Sequence, residues 1–517
     1  MDCGGKRSAT PLSRGRWWSK ARGLRVRAKA PSPLTLCRRS PRRKLTCQVR
    51  RNRAASFKNC DAPRAAVWSV CGFTSLGKSG GLLVVIENKM RRYLLKKLSG
   101  FLPLVALAIF NTAPISWSGE LPVAQPEAVG MSSAKLARIG PAVQALITNN
   151  LVAGAVVMIA RHGKIVYFEA TGQSDVATGQ PMERDEIMRF YSMSKPVTSV
   201  AVMMLVEAGK INLDDPIARY LPEFKGAQVF LRTTHGGLVT EPARREPTVR
   251  DLLRHTGGLT YGFMGDTPVD RAYNAAGVLA LNNTLADLTR KVAQLPLLYQ
   301  PGTRFNYSVS ADVLARLVEV VSGQAFDEFL AGHIFKPLDM YDTGFWVPPD
   351  KQARFAAVHG PEGNKLKVTH FPVTTGYRQR PTFLSGGGGL VSTARDYMRF
   401  CQMLVAGGEL DGRRLLRRET VRMMTTNQLP SQAFPIEFGG FSIPGIGFGL
   451  GFSVQVEPTP FSAAHIGEYG WTGLASTSFW ISPQDDLVVI VLQQLMPYSV
   501  LLDQTVKPLV YAAIAHY

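Results

Sequence analysis

The sequence predicts an α+β protein: an antiparallel sheet built from both ends of the globular chain, flanked by terminal helices, with a helical domain inserted between. Three observations carry this. The run from Asp486 to Leu492 (DLVVIVL) is the strongest buried-strand pattern and lies close to the end. Two β-rich runs, 155–160 and 165–168, flank His162-Gly163, a hairpin signature close to the start. Between them, from about 191 to 384, helical periodicity dominates.

Composition narrows the class. The chain has 517 residues, 45% of them hydrophobic and 19% charged, and its mean hydropathy is near zero. Those values exclude a mostly disordered chain and a polytopic membrane protein. The formal net charge of +22 suggests a nucleic-acid binder until it is divided along the chain. Residues 1–100 hold 25 of the 60 Lys and Arg and three of the 38 acids, so the other 417 residues carry 35 of each sign. The globular part is electrically balanced, and nucleic acid is not an expected partner.

The basic segment divides in two. Residues 1–89 hold five of the six Cys, in spacings that match no zinc pattern, and read as an extension that is disordered or precedes the true start. Gly72 to Ser79 (GFTSLGKS) fits the phosphate-loop pattern, but Gly80-Gly81 follow it where a helix should open, so it reads as a chance match. Residues 90–118 have the layout of an export signal: Met90-Arg91-Arg92, an apolar run from Phe101 to Phe110, then small residues around Ser116-Trp117-Ser118. The expected location is periplasmic or secreted, with membrane contact only through this segment. The apolar run is short for a bilayer span.

Residues 119–190 with 385–517 are expected to form the α/β sandwich and 191–384 the helical domain. In order, 132–148 reads as an amphipathic helix, with Leu136, Ile139, Val143 and Leu146 at helical spacing. A helix from Ser192 to about Ala208 ends near Gly209, and another spans Ser310 to Val321. A strand is expected over 476–481, and a closing helix over about 500–515 contains Pro508. Cys401 is the sole cysteine of this part, so no disulfide supports it.

Three segments carry chemistry. Ser192-Met193-Ser194-Lys195 fits S-x-x-K. At a helix start, orphan N–H groups and the helix dipole favour negative charge developing at Ser192. Lys195 lies one turn on, on the same face, where desolvation would lower its pKa enough to take the serine proton. Tyr307 precedes the second helix and can reach across a cleft, its phenol serving as acid or base; a packed core Tyr is the plain alternative. Glu468 to Gly473 (EYGWTG) leads into a β-rich run, whose backbone N–H groups could supply half of an oxyanion hole.

These elements, in this order, resemble the serine hydrolase superfamily of class C β-lactamases, low-molecular-mass penicillin-binding proteins and family VIII carboxylesterases. The resemblance covers roughly residues 125–510. It is supported by Phe190 to Pro196 (FYSMSKP), Asp251 to Leu259 (DLLRHTGGL) and Gly386 to Thr393 (GGGGLVST). It implies a β-lactamase/transpeptidase-like fold with the site between two lobes. It also implies Ser192 as nucleophile, Lys195 as its base, Tyr307 as proton shuttle, and an oxyanion hole from the Ser192 amide and the Leu474 amide after Gly473. No metal or cofactor is expected. There is no G-x-S-x-G elbow, so the α/β-hydrolase route is not supported.

The departures are informative. The β-lactamases have Tyr-x-Asn where this chain has Tyr307-Ser308-Val309, and Lys-Thr-Gly where it has Trp471-Thr472-Gly473. No Lys or Arg lies between Arg422 and Lys507, which makes that strand a poor carboxylate receptor. Trp471 points instead to the esterase branch and to neutral acyl groups, although Arg378 or Arg380 could restore a cation from the other lobe. The leading expectation is a serine esterase acting on a small-molecule ester or amide. The alternatives are a β-lactamase, a D-amino-acid peptidase or an acyltransferase on the same site, and a non-catalytic penicillin-recognising module.

Overall fold

The computed structural model describes residues 120–515 except 371–375, 439 and 460–462. The extension 1–89, its phosphate-loop match and the signal-like segment 90–118 lie outside the described residues. Among the described residues no helix is long and apolar enough to cross a membrane.

The centre is an eight-stranded antiparallel sheet. Its strands are β1 (Gly154–Arg161), β2 (Lys164–Asp175), β3 (Gln180–Pro181), β4 (Ile446–Phe448), β5 (Ser453–Gln455), β6 (Tyr469–Thr472), β7 (Ser478–Ser482) and β8 (Leu487–Leu492), in the order β4-β5-β6-β7-β8-β1-β2-β3. An early strand and the last strand of the described residues meet at β1 and β8, with Val156 opposite Leu492 and Arg161 opposite Leu487. His162 and Gly163 both take positive φ, 50° and 70°, as the two-residue turn between β1 and β2 requires.

β1 and β8 are buried on both faces, and their alternation serves two cores. Val156, Met158, Val488, Ile490 and Leu492 face the larger core, which contains the helical part. Val157, Ile159, Leu487, Val489 and Val491 face the smaller one, under α1 (Ile139–Thr148) and the C-terminal helix α5 (Leu501–Ala513). Each such Val or Ile contributes roughly 1.5–3 kcal/mol of burial, so the uninterrupted apolar run of β8 follows from its double coverage.

Three helices of the larger core matter for the site: α2 (Ser194–Glu207), α3 (Ser310–Ser322) and α4 (Ala394–Val405). α2 packs on α3, and α4 packs on β8. α2 is buried without interruption from Ser194 to Met203, so it has no solvent face. It ends before Gly209, and α3 before Gly323, both in the left-handed region.

Three expectations change in detail. The helix expected over 132–148 is two, Ser133–Leu136 and Ile139–Thr148. Pro141 has no N–H for the Ala137 carbonyl and is tolerated only in a first turn, so the helix restarts there. The helix-rich stretch also contains two hairpins, 228–242 and 359–368. The strand expected over 476–481 begins at Ser478, because Ser476 sits in the turn with φ 65°.

One buried ionic cluster braces the loop leading to the site. Asp251 is fully buried in the helix Val249–Leu253 and forms a capping box with Thr248. It also accepts hydrogen bonds from Arg245 (2.5 and 3.1 Å), Arg254 (3.0 Å) and Thr256 (2.9 Å). Burial alone would raise its pKa, but these bonds and the Arg245 charge outweigh it and bring the carboxyl to about 2. The unfolded value is about 4. The stabilisation is therefore complete above pH 4 and lost as pH falls from about 4 to 2. Asp251→Ala should lose about 3 kcal/mol or more in denaturant unfolding at pH 7, and much less at pH 2.5.

Candidate active site

Ser192 lies in a short turn, Tyr191–Met193, that leads into α2. It is the one residue of 191–200 that is not fully buried. The turn is held on several sides. The Phe190 N–H donates to the Leu390 carbonyl (2.9 Å), and the Tyr397 hydroxyl donates to the Met193 carbonyl (2.9 Å). Tyr191, just before the serine, is held at φ 43°, a strained value that only such surroundings maintain.

Lys195 is one turn on and 2% exposed. Its Nζ donates to Ser192 Oγ at 3.1 Å and to the Gly387 carbonyl at 2.6 Å. It lies 4.6 Å from the centre of the Tyr307 ring and 5.2 Å from that of Tyr261. Burial brings its pKa down to about 7, against an opposing pull from Asp312. Near neutral pH a large fraction is free amine, able to accept the serine proton.

The backbone under Lys195 is the glycine run 386–389. α2 grips it with three polar side chains at helical spacing. Ser194 Oγ accepts from the Leu390 N–H (3.0 Å), Lys195 bonds the Gly387 carbonyl, and Thr198 Oγ1 donates to the Gly386 carbonyl (2.7 Å). A Cβ on Gly387 would stand 2.6 Å from Asp312 Oδ2 and 2.9 Å from the Tyr261 hydroxyl, so only glycine fits.

Tyr307 enters from the loop before α3. Its hydroxyl accepts a hydrogen bond from Trp471 Nε1 at 3.1 Å. Burial holds the phenol well above its ordinary pKa, and hydrogen bonds with Ser192 and Trp471 offset this only in part. Tyr307 is thus a neutral phenol between Ser192 and Trp471, suited to passing a proton. His255 packs on its ring at 4.8 Å and is held far below its usual pKa by burial, then by the Lys195 charge, so it is neutral.

Trp471 lies on β6, and the strand ends at Gly473 in a tight turn: the Gly473 N–H donates to the Thr477 carbonyl (2.8 Å). A Cβ at Gly473 would be 2.3 Å from the Phe190 carbonyl. This contact brings the end of β6 against the turn that holds Ser192. The Ser192 amide lies in the turn Tyr191–Met193, and the Leu474 amide directly follows Gly473. The Leu474 side chain is partly exposed at the rim.

The structure therefore gathers Ser192, Lys195, Tyr307, Trp471 and Gly473 into one place, with Leu474 beside them. Trp471 has a use that its sequence did not suggest, as donor to Tyr307. Arg380 is not a free cation for substrate, because Asp327 holds it at 2.9 and 3.0 Å. Arg378 bonds Gln352 (3.0 Å) and lies over the Phe355 ring. Asp312, Tyr261 and Phe438 are site residues that sequence reasoning missed. Asp312 reads as an ordinary first-turn acid, and no local signal marks Tyr261 or Phe438. Among the described residues no cluster of His, Cys, Asp and Glu could hold a metal.

An S-x-x-K serine beside a buried amine, at the junction of an antiparallel sheet and a helical part, defines a serine hydrolase of the β-lactamase/transpeptidase fold. The chain belongs to the beta-lactamase family, whose model matches residues 142–505. It is 37% identical over 353 residues to an uncharacterised protein of Mycobacterium tuberculosis, across 67% of this chain and 87% of that one. It is 30% identical over 390 residues to esterase EstB of Burkholderia gladioli, across 71% of this chain and 92% of that one. Among solved structures it resembles EstCE1, a hydrolase with promiscuous acyltransferase activity, with a TM-score of 0.63 and 28% identity, over 73% of this chain and 99% of that one. The chain is a β-lactamase-related serine hydrolase, placed by these relatives in the ester-acting branch.

Two outcomes follow from the geometry. Only the free amine of Lys195 can accept a proton, so kcat/KM for an ester should climb through about pH 7 and level off above it. A climb centred above pH 9 would contradict the buried, desolvated amine. Gly473→Ala should push the β6 end away from Phe190 and cost roughly 100-fold or more in kcat, with a smaller change in KM.

Proposed function

We propose that this protein is a carboxylesterase for neutral, apolar esters, working through an acyl-enzyme on Ser192. The observation that carries the reading is the Lys195 amine, 3.1 Å from Ser192 Oγ and enclosed by aromatic rings, facing a strand without a cation. Ser192 Oγ attacks the ester carbonyl while its proton passes to Lys195. The oxyanion rests on the Ser192 and Leu474 amides. Collapse breaks the bond to the alkoxide, which takes a proton through Tyr307. Water then attacks the acyl–serine ester, gives its proton to the same groups and releases the acid.

The rings around Tyr307 support the substrate class. Phe438 lies 5.1 Å from Tyr307 and 6.1 Å from Trp471, and Phe448 lies 5.3 Å from Trp471. Such a wall receives a hydrocarbon acyl group and offers a carboxylate no partner. Transfer of the acyl group to an alcohol instead of water is a second reading, supported by the similarity to EstCE1.

The test is initial rates of the full chain on p-nitrophenyl butyrate and a chromogenic cephalosporin, with Ser192→Ala as control. Ester turnover that vanishes in the variant, with little cephalosporin cleavage, is expected. Fast cephalosporin cleavage with no ester turnover would overturn the reading. Phe438→Ala should raise the octanoate-to-butyrate ratio of kcat/KM by about tenfold, because the removed ring opens the acyl side.

A further inference from the structure

We propose that Asp312 is the positioning residue of Lys195: it fixes the glycine loop that aims the amine at Ser192 and supplies the negative charge that the buried ammonium needs. The inference rests on the reading of Ser192 as nucleophile and Lys195 as its base.

Asp312 sits in the first turn of α3 and is fully buried. Its Oδ1 accepts from the Ser385 hydroxyl (2.5 Å) and from the Gly387 N–H (3.0 Å). The carbonyl of that same Gly387 accepts from Lys195 Nζ (2.6 Å). One glycine therefore joins carboxylate to amine, and Asp312 acts across it rather than by contact. The second oxygen, Oδ2, is buried with no hydrogen-bond partner. An unbonded carboxylate oxygen in a dry interior is costly.

The other groups facing Lys195 cannot serve as its counter-charge. Ser192 and the Gly387 carbonyl are neutral. Tyr261 and Tyr307 are phenols held protonated by burial, and His255 is neutral. When Ser192 passes its proton to Lys195, an ammonium forms in this enclosure. A lone buried cation is strongly disfavoured, and a nearby carboxylate offsets that. Burial raises the pKa of Asp312, while the Ser385 hydroxyl, the Lys195 charge and the Gly387 N–H pull it down and favour the carboxylate; Asp312 in turn pulls the Lys195 pKa up against the effect of burial.

The direction of the effect follows. Removing the Asp312 charge should lower the pKa of Lys195 further and weaken it as a base. Asp312→Asn keeps the shape and an oxygen for Ser385 and Gly387. The readout is the pH dependence of the rate at which a fluorophosphonate probe labels Ser192, which needs no knowledge of the natural substrate. Asp312→Asn should lower the plateau rate ten- to hundredfold and move the acid-side midpoint down by about one pH unit. Ser385→Ala weakens the support of the carboxylate and should move the midpoint the same way, by less. It carries the test if the Asn variant does not fold. A midpoint that stays in place in the folded variants, whatever the rate, would reduce Asp312 to a structural residue and overturn the proposal. Failure of the wild type to label at all would overturn the nucleophile reading and this inference with it. Labelling without ester turnover would count against the esterase reading alone.

Discussion

The constraint on which the rest of the molecule depends is a primary amine that must be dry and yet stay within hydrogen-bond reach of a serine. An amine in water keeps its proton at neutral pH and cannot serve as a base. The Lys195 amine holds that proton less tightly because it is enclosed: two phenol rings cover it, a glycine carbonyl takes one of its hydrogen bonds, and the helix that carries it is buried from Ser194 to Met203. Each enclosing part comes from a different stretch of chain. The helix supplies the lysine, the loop before α3 supplies Tyr307, the glycine run supplies the carbonyl, and β6 closes the front with Trp471. The sheet, covered on both faces, is what lets these stretches meet, since β6 is held in register with β7 and β8 and so with β1.

The glycine run shows how such an enclosure is built. A polar backbone beside a buried amine must be paired, and here α2 pairs it from Ser194, Lys195 and Thr198 while α3 pairs it from Asp312. The approach is too close for side chains, which explains glycine at 386 and 387 without reference to flexibility. The same economy operates at Gly473, where the strand end lies against the Phe190 carbonyl, beside the turn that holds Ser192.

Much of this was legible in the sequence because it is local. The double-sided strand Leu487–Leu492, the His162-Gly163 turn and the S-x-x-K helix start each follow from neighbours along the chain. So does the lack of Lys and Arg between Arg422 and Lys507, on either side of Trp471. What was not legible is set by contacts across long separations. Asp312 looks like any acid favouring a helix dipole until Gly387, 75 residues on, is placed against it. Tyr261 and Phe438 carry no pattern at all, and only the folded chain brings one against Lys195 and the other against Tyr307. The interruption at Pro141 was readable in principle, but the apolar spacing on both sides of it outweighed the proline.

Trp471 shows how one position can turn a shared fold towards a different substrate. In the lactam-cleaving relatives that this chain resembles, a lysine stands there and holds a carboxylate. Replacing a cation by an indole removes that receptor, but it also has to leave the proton path intact. The structure meets both demands with one side chain. The indole N–H donates to the Tyr307 oxygen, so the phenol keeps a hydrogen-bond donor from this strand. The indole ring joins Phe438 and Phe448 in an apolar wall. A cation would also have raised the electrostatic cost of forming an ammonium at Lys195 in the same enclosure, whereas a neutral N–H does not. A strand without a cation and a buried amine are therefore compatible in a way that a strand cation and that burial are less so. The proposed neutral ester brings no charge of its own, so it would enter such a site without desolvating an unpaired ion.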